Sequence, residues 1–345
     1  MSKIETGSSR RTELDLSNEK IVQFSIVVQN VERVAKHFSD IFGIRWILYD
    51  FKPAQVLLNG KTPADAPYLK IAIGNFGGRS LKLIQPVSGQ SSYAEFLEKN
   101  GEGFYTIGLG TLMNHDEVVN ALAKAGVMVE MQVDGGDGAA FSIMNTTEDL
   151  GCRIEFSSPC SKACETSIRQ TGILVPEGPS FVNMEMPIFS GGKRIDQVGI
   201  VVGDEKKAAK GFEELLGIRG WEYAYGPPGL INASLNGIPV QESGMESLDV
   251  AFANSRLGDI WIEVIRPIGL RPGGCHQRFL DRRGNGIQHV SFGIQPDYAG
   301  VVEAMKKAGI GAEFSASIKA HGVTATYFAS QDALGGFQLE VVGKN

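Results

Sequence analysis

The chain is poor in cysteine and tryptophan, has no excess of positive charge and lacks any long apolar run. It has 345 residues with four cysteines and three tryptophans, and 33 Lys and Arg residues stand against 39 Asp and Glu, for a net charge of −6. This balance, without a Lys or Arg cluster, argues against a nucleic-acid-binding surface. No apolar run approaches the ~20 residues that a membrane helix needs. We therefore expect neither nucleic acid nor a membrane as a partner.

The few cysteines do not form a recognisable framework. Three residues separate Cys160 from Cys164, but no second pair completes a zinc site, and Cys152 and Cys275 stand alone. Reduced cysteines in a cytoplasmic protein are the favoured interpretation. The first twenty residues are polar and lack the apolar segment of a signal peptide. We expect residues 1–19 to form a flexible arm.

Glycine, in contrast, is abundant at 43 residues, which favours strands and tight turns over long helices. An internal repeat is also present. FSIVVQNVERVAKHFSDIFGI (24–44) and VGIVVGDEKKAAKGFEELLGI (198–218) both predict a strand, a polar corner and an amphipathic helix that stops at glycine. SLKLIQPVSG (80–89) likewise matches IWIEVIRPIG (260–269). A duplicated domain is the simplest explanation of such matches.

The repeat continues to the end of each half. FLEKNGEGFYTIGLG (96–110) matches FLDRRGNGIQHVSFG (279–293), and LGCRIEF (150–156) matches GGFQLEV (335–341). The offset between matched positions grows slowly from 174 to 185 residues, as a few loop insertions would produce. Each half also divides into two βαβββ units, so that the chain contains four.

These boundaries define the expected domains. An N-terminal domain covers residues 20–158 and a C-terminal domain covers 194–345. Between them, residues 159–193 are rich in Ser, Pro, Gly and Cys and are interpreted as a strand-free connector that wraps one half.

Paired βαβββ units with these junctions resemble the vicinal oxygen chelate superfamily, which includes glyoxalase I, methylmalonyl-CoA epimerase and the extradiol dioxygenases. The most specific stretches are FLEKNGEGFYTI (96–107) and RFLDRRGNGIQHV (278–290), which look like the epimerase pattern of a helix, a Gly-x-Gly turn and a His-bearing strand. The resemblance implies an α+β fold in which two units curl their mixed sheets around a cup. It also implies that the first and last strands of each unit hold a metal.

In the C-terminal half, the resemblance assigns the metal ligands to Gln197, Glu263, His289 and Glu340. Mostly oxygen ligands suit one divalent ion such as Zn, Ni, Co, Mn or Mg. The set matches eukaryotic-type glyoxalase I in kind and order, whereas the epimerases usually have His where this chain has Gln197. The structural alternatives are a hydrogen-bonded core histidine for His289 and an ordinary salt bridge for Glu263.

The matching positions of the N-terminal half are Gln23, Lys82, Thr106 and Glu155. A protonated lysine cannot ligate a metal, and threonine is a poor donor beside imidazole. We therefore expect this half to have lost its metal, and we hypothesise that a Lys82–Glu155 ion pair replaces it. Scaffolding, dimerisation and shaping of a shared cavity remain alternative roles for this half, so a homodimer is a possible assembly.

The resemblance implies a metal-dependent lyase or isomerase that acts on a small carbonyl compound or thioester through a metal-stabilised enolate. Glu340 and Glu263 are the candidate bases, one holding the metal while the other exchanges a proton. Ring cleavage by an extradiol-type dioxygenase is an alternative, although such sites use two His and one carboxylate around Fe(II). Non-catalytic binding of a small molecule is a third alternative.

Two further residues are candidates for substrate binding. His321 precedes a strand and could reach the cup mouth, and Tyr327 lies on that strand, pointing either into the cavity or into the sheet packing. As a loop residue, His321 is equally consistent with a surface position. For His276 we expect an exposed or capping role.

Overall fold

A computed structural model of the protein describes most of the chain. The described residues are 11–111, 114–134, 140–157, 173–175, 194–225, 230–241, 248–269 and 274–344. The two cysteines at 160 and 164 and most of the predicted connector lie outside these residues.

The N-terminal half contains ten strands and four helices within the described residues. In chain order these are β1 (Ile21–Val27), α1 (Val31–Phe42), β2 (Trp46–Phe51), β3 (Gln55–Leu58), β4 (Tyr68–Phe76), β5 (Arg79–Ser88), α2 (Ser92–Asn100), β6 (Gly103–Thr111), α3 (His115–Lys124), β7 (Val129–Asp134), β8 (Ala140–Met144), α4 (Thr147–Leu150), β9 (Arg153–Ser157) and β10 (Ile173–Val175).

The C-terminal half repeats this plan. Its described elements are β11 (Gln197–Val201), α5 (Glu205–Leu216), β12 (Glu222–Tyr225), β13 (Leu230–Leu235), β14 (Ile238–Pro239), β15 (Val250–Leu257), β16 (Ile260–Pro267), α6 (Cys275–Arg283), β17 (Gly286–Ile294), α7 (Tyr298–Lys307), β18 (Ala312–Ile318), β19 (Val323–Phe328) and β20 (Gln338–Lys344).

Local sequence signals explain where the first helix of each half begins and ends. Asn30 caps α1 by accepting a hydrogen bond from the Arg33 amide, and Asp204 caps α5 in the same way. Both helices end at a glycine in the left-handed region, Gly43 with φ 68° and Gly217 with φ 72°. The repeated Gly-Ile ending of the sequence is therefore a repeated helix stop.

Each half forms one mixed sheet of ten strands that curls into a cup. The strand order is β10-β2-β4-β5-β1-β6-β9-β8-β7-β3 in the first sheet and β12-β15-β16-β11-β17-β20-β19-β18-β13-β14 in the second. At each centre, the first strands of the two units pair antiparallel, β1 with β6 and β11 with β17. The predicted α+β fold of four βαβββ units in two halves is confirmed.

The two halves share one hydrophobic core on the helical side of the sheets. Phe337 of the C-terminal half lies with its ring centroid 4.8 Å from that of Phe104 and 5.8 Å from that of Phe38. The rings of Phe76 and Phe292 meet edge to face at 5.2 Å. Aromatic pairs at such separations add to the stabilisation from burial. The halves are thus packed together and not merely tethered.

Two parts of the chain differ from the expectations. Residues 173–175 of the predicted strand-free connector form β10, which pairs antiparallel with β2 and so extends the N-terminal sheet. In the predicted flexible arm, Leu16 is buried and its amide donates to the Leu216 carbonyl, while the Thr12 amide donates to Glu214. The polar composition of the arm gave no indication that its backbone is hydrogen-bonded to the end of α5.

Among the described residues, no helix is long and apolar enough to cross a membrane.

Candidate functional site

Four adjacent strands of the C-terminal sheet bring the four predicted ligands together. Gln197 lies on β11, Glu263 on β16, His289 on β17 and Glu340 on β20, and these strands are neighbours in the order β16-β11-β17-β20. The Gln197 Nε2 donates to Glu263 Oε2 at 2.9 Å. His289 Nε2 lies 3.6 Å from Glu263 Oε2 and 3.8 Å from Glu340 Oε2. Residues spread over 144 positions of the chain thus form one cluster.

The imidazole ring of His289 occupies space that is free because the residue opposite it is a glycine. Its partner across the β11–β17 pair is Gly199, and a Cβ at that position would collide with the imidazole ring. The ring is fully buried, and burial lowers its pKa, so that the imidazole is neutral. A side chain at 199 would prevent this placement.

Hydrogen bonding determines which nitrogen of His289 is free. Its Nδ1 lies 3.1 Å from Gln288 Oε1, which can only accept, so we place the single proton on Nδ1. The buried Nε2 has no hydrogen-bond partner in the described structure. Its lone pair therefore faces the two carboxylates, an arrangement that is repulsive unless a proton or a cation lies between them.

The two carboxylates differ in their surroundings. Burial raises the pKa of Glu263 to about 7. Burial and the neighbouring Glu263 also raise the pKa of Glu340, while hydrogen bonds from Tyr327 and Ser291 act in the opposite direction. Glu340 thus has two hydrogen-bond donors that favour its charged form, whereas burial alone accounts for the raised pKa of Glu263.

The donor set fits a divalent cation, although no three His, Cys, Asp or Glu side chains of the described residues form a ready-made metal centre. The ion pairs of the described residues give Glu263 and Glu340 no lysine or arginine partner, only His289. The buried carboxylate of Glu340, the largely buried carboxylate of Glu263 and an unpartnered imidazole nitrogen are unfavourable without a positive charge. Carboxylate, amide oxygen and imidazole are suitable ligands for Zn, Mn, Co, Ni or Mg.

The N-terminal half shows how the same positions are satisfied without a metal. Lys82 Nζ lies 2.8 Å from Glu155 Oε1, as hypothesised from the sequence. Thr106 Oγ1 donates to Glu155 Oε2 at 3.0 Å, and Gln23 Nε2 donates to Glu155 Oε1 at 3.1 Å. The ammonium group supplies the positive charge that the C-terminal cluster lacks.

A cavity of about 240 Å³ opens above the C-terminal cluster. Glu263 and Glu340 lie at its polar end, and its remaining wall is mainly apolar. Both candidate substrate-binding residues line it: Tyr327 is buried beside Glu340, and His321 is exposed in the turn before β19. Cavities of this kind bind small molecules.

Tyr327 connects the cavity to the cluster. Its ring centroid lies 5.0 Å from that of His289 at an interplanar angle of 89°. Its phenol interacts with Glu340, the residue opposite it on β20, and burial with the nearby carboxylates raises the pKa of the phenol well above the ordinary value. Tyr327 is thus a neutral hydrogen-bond donor to Glu340.

His276 is a site residue that the sequence interpretation missed. The expectation of an exposed or capping role was wrong, because the side chain is buried and its Nδ1 lies 2.7 Å from Gln288 Oε1. It lines the cavity, and burial lowers its pKa to about 3. The matching residue of the repeat, Tyr93, is buried as well, but this correspondence becomes informative only once the structure shows the burial of Tyr93.

Comparisons with known proteins agree with this architecture. A solved triple mutant of 4-hydroxymandelate synthase from Streptomyces coelicolor is 14% identical with a TM-score of 0.57, over 94% of this chain and 92% of that one. A xylose isomerase-like TIM barrel/4-hydroxyphenylpyruvate dioxygenase fusion protein is 11% identical with a TM-score of 0.50; the match covers 99% of this chain and 51% of that one, so the chain spans about half of it. At these identities the likeness concerns the fold alone.

Comparison of the sequence with known proteins and protein families shows to which superfamily the chain belongs. No curated protein sequence matches the chain. A family model described as the Glyoxalase/Bleomycin resistance protein/Dioxygenase superfamily matches residues 22–142 and 196–328, one stretch in each half. The four units, the two cups and this double match agree with the resemblance seen in the sequence, and the chain belongs to that superfamily.

Proposed function

We propose that the protein is a metal-dependent lyase or isomerase that acts on a small carbonyl or thioester compound through an enolate. The observation that carries the proposal is the pairing of the buried Glu340 carboxylate with the largely buried Glu263 carboxylate, beside a free imidazole nitrogen, in the wall of the cavity. Membership in a superfamily composed mostly of enzymes supports a catalytic role.

His289 through Nε2, Glu340 and Gln197 would hold the cation throughout, and Glu263 would be a fourth ligand whenever it is not exchanging a proton. Bound there, a divalent cation acts as a Lewis acid that polarises a carbonyl oxygen and acidifies the neighbouring C–H group. We assign proton transfer to Glu263, with Glu340 holding the cation, because Gln197 orients the Glu263 carboxylate beside the cavity that would take the substrate. The hydrogen bond from Tyr327 favours the charged form of Glu340.

The surrounding residues hold this arrangement in place. Gln197 donates to Glu263 and so fixes the orientation of the proposed base. Gln288 fixes the tautomer of His289. The apolar cavity wall limits water near the reacting carbon, which strengthens electrostatic interactions there.

Hydrogen–deuterium exchange tests the proposal without knowledge of the product. Propiophenone and other small ketones and thioesters are incubated in D2O with the protein and Zn, Mn, Co, Ni or Mg, and loss of the α-proton signal is followed by NMR. We expect metal-dependent exchange that Glu263→Gln abolishes while metal binding persists. Exchange that is independent of both the metal and Glu263 would refute the proposal.

A dioxygenase is the second candidate, and the structural likeness to the 4-hydroxyphenylpyruvate dioxygenase fusion protein favours it. Against it, Gln197 stands where a two-His, one-carboxylate Fe(II) site needs a histidine. Oxygen uptake with Fe(II) and a panel of catechols and 2-oxo acids distinguishes the two chemistries. Ligand binding with neither exchange nor oxygen uptake would favour non-catalytic binding. A cytoplasmic location and a homodimer stay predictions.

A further inference from the structure

The repeat allows the two cups to be compared position by position. In the N-terminal half, Ile143 on β8 pairs with Glu155, and in the C-terminal half Tyr327 on β19 pairs with Glu340. Since the two glutamates are equivalent in the repeat, Ile143 and Tyr327 are equivalent as well. The strand registers then fix the other matches without a sequence alignment.

Two positions earlier on these strands, Phe141 in the first half corresponds to Ala325 in the second. The next strand outward adds another match: Val133 pairs with Phe141, and Ala316 pairs with Ala325. At both positions the N-terminal residue is the larger one.

A third match lies across the cup. Tyr49 on β2 pairs with Ile71, and Ala224 on β12 pairs with Phe252. Ile71 and Phe252 are equivalent, because each pairs with the residue two positions after Lys82 or Glu263. Tyr49 therefore corresponds to Ala224, and three equivalent positions are all alanine in the C-terminal half.

These differences in side-chain size accompany a filled N-terminal cup and an open C-terminal cup. In the N-terminal cup, the Phe141 ring centroid is 4.9 Å from Lys82 Nζ, Val133 is buried, and Tyr49 packs against the same apolar cluster. In the C-terminal cup, all three alanines line the cavity. The N-terminal side chains occupy the volume that the alanines leave free.

We propose that Ala224, Ala316 and Ala325 determine which molecules enter the C-terminal cup, and that their small size admits a ligand with an apolar body of about one ring. An apolar cavity of ~150 Å³ accepts benzene, so 240 Å³ accommodates a ring with a short carbonyl substituent. The described residues of the wall include no lysine or arginine to meet a remote anionic group. The inference rests on the proposed function in one respect: it assumes that the carbonyl group of the ligand lies at Glu263 and Glu340.

The probe is propiophenone, an uncharged ketone with one ring, and its binding is measured by ligand-observed NMR. Ala325→Phe and Ala316→Val copy the N-terminal residues, while Ala299→Phe, on an exposed face of α7, is the matched control. We expect Ala325→Phe to weaken binding by more than about tenfold, Ala316→Val to weaken it less, and Ala299→Phe to leave it unchanged.

Unfolding temperatures establish that each variant is folded, and Ala316→Val keeps the test valid if Ala325→Phe does not fold. Equal binding by the wild type and both cavity variants, or no binding by the wild type, would overturn the inference. Binding that the cavity variants weaken, with no exchange in D2O, would support the inference and count against the proposed function alone. Deuterium exchange that the cavity variants leave unchanged would support the proposed function and count against the inference.

Discussion

Gly199 and His289 face each other across β11 and β17, and the imidazole ring fills the space where a side chain at 199 would stand. The N-terminal half has Ser25 opposite Thr106 at the same positions, a small residue opposite a small residue. The two halves therefore differ in the sizes of the paired residues. A glycine faces a histidine in the half where the metal site is proposed, and a serine faces a threonine in the other half.

Gly199→Ser is expected to displace His289 and to lower Zn(II) affinity by more than about tenfold. The reason is steric, because the new Cβ meets the ring. Isothermal titration of the purified variant with Zn(II) measures the effect. Gly311→Ala is the control, since a Cβ there contacts nothing within 4 Å. Unchanged affinity in Gly199→Ser would contradict the placement of His289.

The metal-free protein is expected to lose stability as the pH rises from about 4.5 to about 7. In the unfolded chain Glu263 releases its proton near its ordinary pKa of 4.5, whereas in the folded protein the largely buried carboxyl keeps its proton until about pH 7. Below 4.5 both states are protonated; between the two values only the unfolded state ionises, which costs roughly 3 kcal/mol at most. Urea titrations across this range measure the slope.

Asp196 and Glu340 contribute in the same direction, because burial raises the pKa of both carboxyls. Glu263→Gln isolates the contribution of one residue: its free energy of unfolding should fall less steeply with pH than that of the wild type. Zn(II) should stabilise the wild type more at pH 7.5 than at pH 5, since ligation requires the deprotonated carboxylate. Parallel slopes for wild type and variant would show that Glu263 is not perturbed.

Removal of Lys82 is expected to destabilise the protein by about 3–5 kcal/mol, because Lys82→Met leaves Glu155 buried without its cationic partner. The double variant Lys82→Met, Glu155→Gln should recover much of the loss, since no charge then remains. Chemical denaturation of the two variants measures the loss of unfolding free energy in the single variant and its recovery in the double variant. A single variant as stable as the wild type would show that the ion pair does not hold this cup together.

Tyr327→Phe is expected to weaken Zn(II) binding several-fold while the fold is retained. The substitution keeps the ring against His289 but removes the hydroxyl that supports the charge of Glu340. Tyr298→Phe, which removes a hydroxyl bonded to Thr326 outside the cavity lining, is the matched control. Equal loss in both variants would indicate a general effect on β19.

The repeated pattern was sufficient to predict the four units, the two halves and the strands that carry Gln197, Glu263, His289 and Glu340. Periodicity, helix stops and the Gly-x-Gly junctions are local signals, and the repeat supplied the long-range pairing. The attachment of Leu16 to α5 was not predictable, because it depends on a backbone hydrogen bond that any polar segment can make.

The environment of the site was also beyond the sequence interpretation. The burial of His276 depends on its contact with Gln288, and the difference between the two carboxylates depends on which donors reach each of them. The cavity depends on residue volume at positions 224, 316 and 325, which becomes meaningful only when strand register matches them to the N-terminal cup.

Metal stoichiometry tests the central claim most directly. Equilibrium dialysis of the full chain against Zn(II) or Mn(II), followed by elemental analysis, should give one bound ion per chain, lost in His289→Ala and retained in His321→Ala, whose histidine lies at the exposed side of the cavity. No bound ion in the wild type, or an ion that His289→Ala retains, would contradict the account.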